Sequence, residues 1–106
     1  MMNTIEKFRL DNRVAVITGG AGLLGVQHAE AIAEAGGIPV LWDINEELAV
    51  NEAERIQETH KTSCIGMKVD ITSLDSVRKG MSDVLSSFSR IDILINNAAN
   101  DPKVKS

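Results

Sequence analysis

Four short apolar runs, separated by longer segments of helical character, constrain the fold of this chain more than any other feature of its sequence. The runs are Arg13–Thr18, Ile38–Asp43, Cys64–Val69 and Ile91–Ile95. None of them alternates regularly between polar and apolar residues, so we interpret each as a strand buried on both faces. Pro39 is compatible with the second strand only near its start, because proline cannot donate to a strand ladder.

The segments between these runs carry helix signals. The first runs from Leu23 to about Ala35, is rich in alanine and stops at two glycines. The second follows Asn45, a suitable N-cap, with two glutamates favourable in its first turn. Apolar residues at helical spacing mark one face of the second and third helices: Ala49, Ala53 and Ile56, then Leu74, Val77, Met81, Val84 and Phe88.

The resulting order β-α-β-α-β-α-β predicts an α/β fold with a parallel sheet covered on both faces. Right-handed crossovers leave few topologies, and a doubly wound sheet of strand order 3-2-1-4 is the leading one. We expect a partial Rossmann fold with three regions. Residues 1–12 form an N-terminal extension, 13–100 a nucleotide-binding half-domain and 101–106 a polar tail.

Composition narrows the choice of partners. The chain has 106 residues and a net charge of −4, with charges of both signs interspersed, so it lacks the basic surface that nucleic acids require. No apolar run is long enough to span a bilayer, and no apolar core of a signal peptide follows the N-terminus. The single cysteine, Cys64, allows no intrachain disulfide. We therefore expect a cytoplasmic protein that binds neither nucleic acid nor membrane.

A glycine-rich segment lies between the first strand and the first helix. Gly20, Gly22 and Gly25 satisfy the pattern G-x-G-x-x-G, and the strand before and helix after supply its expected context. Such glycines allow a tight turn, close approach to a pyrophosphate, and close packing of helix on strand. The segment predicts a dinucleotide site at the helix N-terminus. The alternative is a turn that binds nothing; a P-loop is excluded because no Gly-Lys-Ser/Thr follows.

An acidic residue, Asp43, ends the second predicted strand. A carboxylate at that position can accept hydrogen bonds from both hydroxyls of a ribose and would repel a 2′-phosphate. The sequence therefore predicts NAD rather than NADP as the cofactor. The alternative is a solvated strand-end residue, or a cap for the following helix.

Two further segments complete a recognisable pattern. Val69-Asp70-Ile71-Thr72 ends the third strand, and the fourth strand leaves through Asn96-Asn97-Ala98-Ala99. Together with the glycine loop and Asp43, these segments resemble the short-chain dehydrogenase/reductase family over residues 13–99. A methyltransferase also has a glycine loop and an acidic second strand, but the asparagine-rich exit argues against that alternative.

The resemblance implies a role for each matching residue of the loop. Gly19, Gly22 and Gly25 would form the family's T-G-x-x-G-x-x-G loop, and the backbone N–H groups near Leu23 and Leu24 would face the pyrophosphate. Leu23 stands where the commoner subgroup of the family has glycine. Whether Gly19 or Gly20 is the first functional glycine is left open by the spacing.

The same resemblance assigns the adenosine side of the site. Asp43 would bind the ribose, Asp70 would accept from the adenine amino group, and the backbone of Ile71 would meet the ring. The residues implied to pass along the cofactor's ribose and to support the central sheet are Asn97, Ala98 and Ala99. Ala99 replaces the glycine usual in the family. For Asp70 a helix-capping role is the alternative, and for Asn97 a turn that satisfies its own backbone.

The family's chemistry, by the same resemblance, is done by a Tyr-x-x-x-Lys pair with an upstream serine and an asparagine. This chain contains no tyrosine, so we assign no catalytic residue and predict that it is inactive alone. Metal-ligand spacing is also absent. We expect half of an NAD-dependent oxidoreductase for an alcohol or carbonyl substrate, with a sugar-like compound as the narrower expectation. The alternative is a non-catalytic module that binds NAD or an adenine nucleotide, or that pairs with another subunit. A bare fourth-strand edge would favour self-association.

Overall fold

The computed structural model describes residues 8–98, and all seven predicted elements are present. The strands are β1 (Val14–Thr18), β2 (Ile38–Asp43), β3 (Ile65–Lys68) and β4 (Ile93–Asn96). The helices are α1 (Leu23–Glu34), α2 (Glu46–His60) and α3 (Leu74–Phe88). Element boundaries move by one or two residues from those predicted. β4 extends to Asn96 because strand pairing depends on the backbone and tolerates a polar side chain.

The four strands form one parallel sheet in the order β3-β2-β1-β4, which confirms the predicted topology. β1 lies in the middle, with Thr18 opposite Trp42 of β2 on one side and Asn96 of β4 on the other. This register brings the carboxyl ends of all four strands to one edge of the sheet. Ligands of open α/β sheets bind at that edge.

Helices pack on both faces of the sheet. On one face, α1 and α2 enclose a core cluster of small and aliphatic side chains: Ile17, Ala21, Ala29, Ala33, Leu41, Ala49, Ala53, Ile56 and Cys64. On the other face, α3 covers a second cluster made of Val14, Val16, Val40, Trp42, Val69 and Val84. Val14 and Val16 of β1 belong to the second cluster and Ile17 to the first, and all five residues of this strand are buried. The arrangement is the doubly wound one that the sequence predicts.

An acidic side chain fastens β4 to β1 at the edge opposite the glycine loop. Oδ2 of Asp92 accepts a hydrogen bond from the Val14 N–H at 2.9 Å and from Nε of Arg90 at 2.7 Å. The guanidinium of Arg90 is the main reason that the pKa of Asp92 is lowered. The lowered pKa keeps the carboxylate ionised to a lower pH than an ordinary aspartate, so its hydrogen bond to β1 is retained there.

Part of the α3 face of the sheet is uncovered within residues 8–98. Leu94 of β4 lies opposite Val16, so it points to the α3 side, and it is 65% exposed. Met81, Leu85 and Leu74 of α3 are exposed as well. These four residues are called the α3–β4 apolar surface below. In the described part of the chain, β4 pairs only with β1.

The described helices have 12, 15 and 15 residues, and none of them combines the length and apolarity that crossing a membrane requires.

Close packing between α3 and β2 leads to a prediction about Gly80. A Cβ atom at this position would lie 2.9 Å from Cγ2 of Val69 and 3.0 Å from Cζ2 of Trp42, both buried. Gly80→Ala should therefore lower the free energy of unfolding by about 1–3 kcal/mol through overpacking, although alanine favours helix more than glycine does. Urea denaturation followed by fluorescence of Trp42, the only tryptophan, measures the change. Ser82→Ala, on the exposed side of α3, is the control and should be near neutral. A stabilised Gly80→Ala variant would contradict this packing.

Candidate functional site

The carboxyl ends of the strands border a cleft of about 180 Å³. Its lining comes from the glycine loop, from the residues that follow β2 and β3, and from the exit of β4: Gly19, Trp42, Asp43, Ile44, Val69, Asp70, Ile71 and Ala98. Five residues that the family resemblance assigns to the cofactor site therefore line one cavity. They are Gly19 of the glycine loop, Asp43, Asp70, Ile71 and Ala98.

Glycine is required at some positions of the loop for steric reasons, and these reasons differ from one position to the next. Gly19 has a left-handed backbone (φ +64°), and a Cβ there would lie 3.0 Å from Cα of Ala98. A Cβ at Gly20 would lie 2.8 Å from the backbone of β2, and one at Gly25 would lie 2.8 Å from Cα of Gly20. At Gly22 the nearest atom is 3.4 Å away, so the protein itself leaves room there. The turn is therefore made at Gly19, and Gly22 is the glycine open to a ligand.

The N-terminus of α1 lacks the side-chain cap that the other two helices have. Asn45 caps α2 and Ser73 caps α3, each accepting a backbone N–H through its side chain. The N-cap of α1 is Gly22, and no acidic residue occupies its first turn. Within residues 8–98 the N–H groups of Leu23 and Leu24 have no acceptor. This end of α1 therefore offers unpaired donors and a positive dipole end to an anion.

The alternative role of Asp43 as a cap for α2 does not apply, because Asn45 caps that helix, as the sequence predicts. Oδ2 of Asp43 accepts from the Ala21 N–H at 3.1 Å, and Oδ1 accepts from the Asn45 N–H at 3.0 Å. The half-buried carboxylate thus borders the cleft and contacts the glycine loop directly. Each oxygen retains a lone pair for a further donor.

The alternative role of Asp70, capping α3, does not apply either, because Ser73 caps that helix. Oδ1 of Asp70 accepts from both the backbone N–H and the hydroxyl of Thr72, at 3.0 and 2.6 Å. These bonds lower the pKa of the carboxyl, the hydroxyl bond most strongly. In the described part of the chain no group donates to Oδ2, so this oxygen remains available as an acceptor on a residue that lines the cleft.

Thr18, which was not among the site residues predicted from the sequence, joins the end of β1 to the exit of the edge strand β4. Its hydroxyl oxygen accepts from the N–H groups of Asn97 and Ala98, both at 3.0 Å, and the hydroxyl lies 3.2 Å from Oδ1 of Asn96. The side-chain amide of Asn97 donates to the carbonyl of Gly19 at 3.2 Å rather than to its own backbone. The β4 exit is thereby fixed against the glycine loop.

Three residues that line the cleft were not predicted from the sequence either. Trp42, Ile44 and Val69 supply apolar walls, and no sequence signal separated them from ordinary strand-end residues. Thr18 did carry a signal, since it is a hydroxyl residue that ends a β-branched run immediately before glycine. Ala99 lies outside the described residues.

The charge of the cleft is negative on the adenosine side proposed by the sequence. Two carboxylates line it, and no lysine or arginine is among its lining residues.

Cys64 lies outside the cleft and is buried, which raises the pKa of its thiol to about 12 and removes it as a nucleophile at neutral pH. Residues 8–98 contain no cluster of three or more His, Cys, Asp or Glu side chains that could hold a metal ion.

The bonds to Thr18 give a testable prediction. Thr18→Val removes the hydroxyl, which leaves the Ala98 N–H without its acceptor and the Asn97 N–H with only the carbonyl of Ile95, so the free energy of unfolding should fall by roughly 2 kcal/mol. Thr18→Ser keeps the oxygen and should retain most of the stability. Chemical denaturation of the two variants measures the difference. If the valine variant were as stable as the serine variant, the hydroxyl would not be holding the β4 exit.

Comparison with known proteins places this geometry in a family. The family model for short chain dehydrogenases matches residues 13–106. A short chain dehydrogenase/reductase of Gibberella zeae is 41% identical over 90 residues, which is 85% of this chain and 33% of that protein. L-sorbose reductase of Gluconobacter frateurii, crystallised with NADPH and L-sorbose, aligns with a TM-score of 0.83 and 30% identity. That alignment covers 88% of this chain and 35% of the reductase.

A solved structure of a Haemophilus influenza protein with bound NAD also aligns, with a TM-score of 0.83 and 28% identity, over 95% of this chain and 36% of the other. The chain spans about a third of the length of the curated relatives it matches. The matched motifs, the strand order and the family model agree, and the chain belongs to the short chain dehydrogenase family of oxidoreductases, which has an NAD(P)-binding fold.

Proposed function

We propose that this chain forms the adenosine diphosphate half of the cofactor site of an NAD-dependent short-chain oxidoreductase. The observation that carries the proposal is the uncapped N-terminus of α1 beside a cleft lined by two carboxylates. An anion-binding helix end next to acceptors for hydroxyl and amino groups suits the diphosphate and adenosine of a dinucleotide.

The pyrophosphate would lie against the glycine loop. The N–H groups of Leu23 and Leu24 would donate to its oxygens, because residues 8–98 provide them with no other acceptor. Gly22 leaves the space through which a phosphate could approach the backbone. Gly19 and Gly25 would shape the loop, since side chains at either position would collide with neighbouring atoms.

The adenosine would occupy the cleft between the ends of β2 and β3. Asp43 would accept from the ribose hydroxyls, Oδ2 of Asp70 from the adenine amino group, and the backbone of Ile71 would meet the ring. Further along the cofactor's ribose the proposed contacts are Asn97, Ala98 and Ala99. Support for this placement comes from the shared cleft and from the acceptor atoms that the protein leaves available.

NAD is proposed over NADP on electrostatic grounds. A 2′-phosphate beside Asp43 would face a carboxylate, and no cationic side chain lines the cleft to compensate. The structural relatives divide on this point, because one was crystallised with NADPH and another with NAD. The argument therefore depends on this chain's own charges.

Hydride transfer itself is the chemistry that the bound nicotinamide would supply. The family resemblance assigns the proton-transferring role to a tyrosine, and these 106 residues contain none, so we propose that the chain alone is inactive. The substrate proposed for the whole protein is a small alcohol or carbonyl compound, a sugar-like one being the narrower form. The second candidate function is a non-catalytic nucleotide-binding or subunit-pairing module, and the one-sided pairing of β4 within residues 8–98 together with the exposed Leu94 favours its pairing form.

Self-association through β4 is a separate proposal. The strand has a partner on one side only in the described residues, and Leu94 adds an exposed apolar side chain. Sedimentation velocity of the 106-residue chain over a range of concentrations should show a growing dimer fraction, and Leu94→Lys should reduce it. A concentration-independent monomer would refute the proposal.

The cytoplasmic location and the division of the chain at residues 12 and 100 are also proposed from the sequence.

Leu23 offers a direct test of the phosphate contact. It is the first residue of α1, a position where proline fits a helix and removes only the N–H. Gly22 before it has φ −77° and ψ 171°, which a following proline allows. Leu23→Pro should keep the fold and weaken NAD binding by roughly tenfold, the loss of one charge-assisted hydrogen bond.

Leu23→Ala is the matched control, because it removes the 84% exposed side chain and keeps the N–H. Isothermal titration with NAD should give nearly wild-type affinity for this variant. Equal affinities for the proline and alanine variants would show that this N–H does not bind the cofactor.

A further inference from the structure

Asp43 makes two hydrogen bonds within the protein that a contact with ribose does not require. Its Oδ2 atom accepts from the Ala21 N–H at 3.1 Å, and its Oδ1 atom accepts from the Asn45 N–H at 3.0 Å. The first bond connects the end of β2 to the middle of the glycine loop. The second holds the carboxylate in the orientation that makes the first bond possible.

Ala21 depends on this carboxylate. Only 6% of the residue is exposed, and within residues 8–98 its N–H has no other acceptor. A buried N–H without an acceptor is costly, so the loop would have to rearrange if the carboxylate were lost. The adjacent Gly20 N–H donates to the Trp42 carbonyl at 3.0 Å, so two consecutive loop residues are bonded to the end of β2.

We propose that Asp43 is a positioning residue for the phosphate-binding loop, in addition to its role toward ribose, an inference that rests on the proposed function. Ala21 is followed by Gly22, the N-cap of α1, and then by Leu23, whose N–H is a proposed phosphate donor. The bond from Asp43 to Ala21 therefore fixes the backbone two residues before that donor. Asp43 acts on the diphosphate through the loop, without touching it.

This second role affects cofactor selectivity. Replacing Asp43 by a neutral residue would relieve repulsion of a 2′-phosphate, but it would also release the Ala21 N–H and loosen the loop that binds both cofactors. Selectivity for NAD and order in the glycine loop are thereby linked through one side chain. The other carboxylate of the cleft, Asp70, accepts only from Thr72 among the described residues and has no bond to the loop.

A cycle of two ligands and two proteins separates the roles. ADP and 2′,3′-dideoxy-ADP are titrated calorimetrically into the wild type and Asp43→Asn. An asparagine has one oxygen acceptor and cannot serve both N–H groups as the carboxylate does. If Asp43 contacts ribose alone, the variant should bind dideoxy-ADP as tightly as the wild type, or more tightly because a negative charge near the diphosphate is lost.

If Asp43 also positions the loop, Asp43→Asn should weaken dideoxy-ADP binding by roughly fivefold against this charge effect. Unchanged or tighter binding of dideoxy-ADP would overturn the proposal. A wild type that binds neither nucleotide would instead overturn the proposed function. Asp70→Asn is the matched control for the loop and should leave the amide resonances of Ala21, Leu23 and Leu24 in place.

A second measurement does not require nucleotide binding or a folded variant. In the wild type without nucleotide, NMR should detect a scalar coupling across the hydrogen bond between the Ala21 amide nitrogen and the carboxyl carbon of Asp43. The Ala21 amide proton should also exchange more slowly than those of Leu23 and Leu24, which have no acceptor in the described structure. Absence of the coupling together with rapid exchange at Ala21 would refute the positioning role.

Discussion

Hydrogen bonds at the end of β1 hold the candidate site together. Thr18 closes the central strand, and its hydroxyl oxygen binds the backbone of the β4 exit at two consecutive residues. The next residue, Gly19, turns the chain into the glycine loop and accepts the side-chain amide of Asn97. Because β1 pairs on both sides and is buried on both faces, these bonds place the loop and the β4 exit on a rigid base.

The glycine loop is bonded to strands on both of its sides. Gly20 and Ala21 are bonded to the end of β2, while Gly19 is bonded to the exit of β4. Between these attachments the N-terminus of α1 retains unpaired N–H groups, whereas α2 and α3 have their N-termini capped. Because the other two helices of this chain have side-chain caps, the missing cap of α1 is a local feature of the site rather than a general property of its helices.

Much of the fold could be predicted from the sequence, because apolar runs and helical spacing are strong local signals. Right-handed crossovers left few topologies, and the strand order 3-2-1-4 of the doubly wound sheet, the leading one, was confirmed. Less could be predicted about individual side chains. The sequence left a capping role open for Asp70, but Ser73 caps α3, and the hydrogen bond of Asp43 to the glycine loop was not predicted. Such bonds depend on three-dimensional proximity between residues 22 positions apart, which periodicity does not encode.

Two features of the site were predictable only in outline. Gly22 and Gly25 both match a motif, yet only the structure shows that Gly25 is required by packing and Gly22 is left open. The apolar walls formed by Trp42, Ile44 and Val69 depend on how the ends of β2 and β3 face one another.

The most direct test of the account is calorimetric titration of the 106-residue chain with NAD, ADP-ribose and NADP under identical conditions. If the chain supplies the adenosine diphosphate half of an NAD site, NAD and ADP-ribose should bind with similar affinity, and NADP should bind at least about tenfold more weakly, a difference of roughly 1.4 kcal/mol. Equal or tighter binding of NADP would contradict the role of Asp43 in cofactor choice. Failure of all three ligands to bind would contradict the nucleotide-binding function itself.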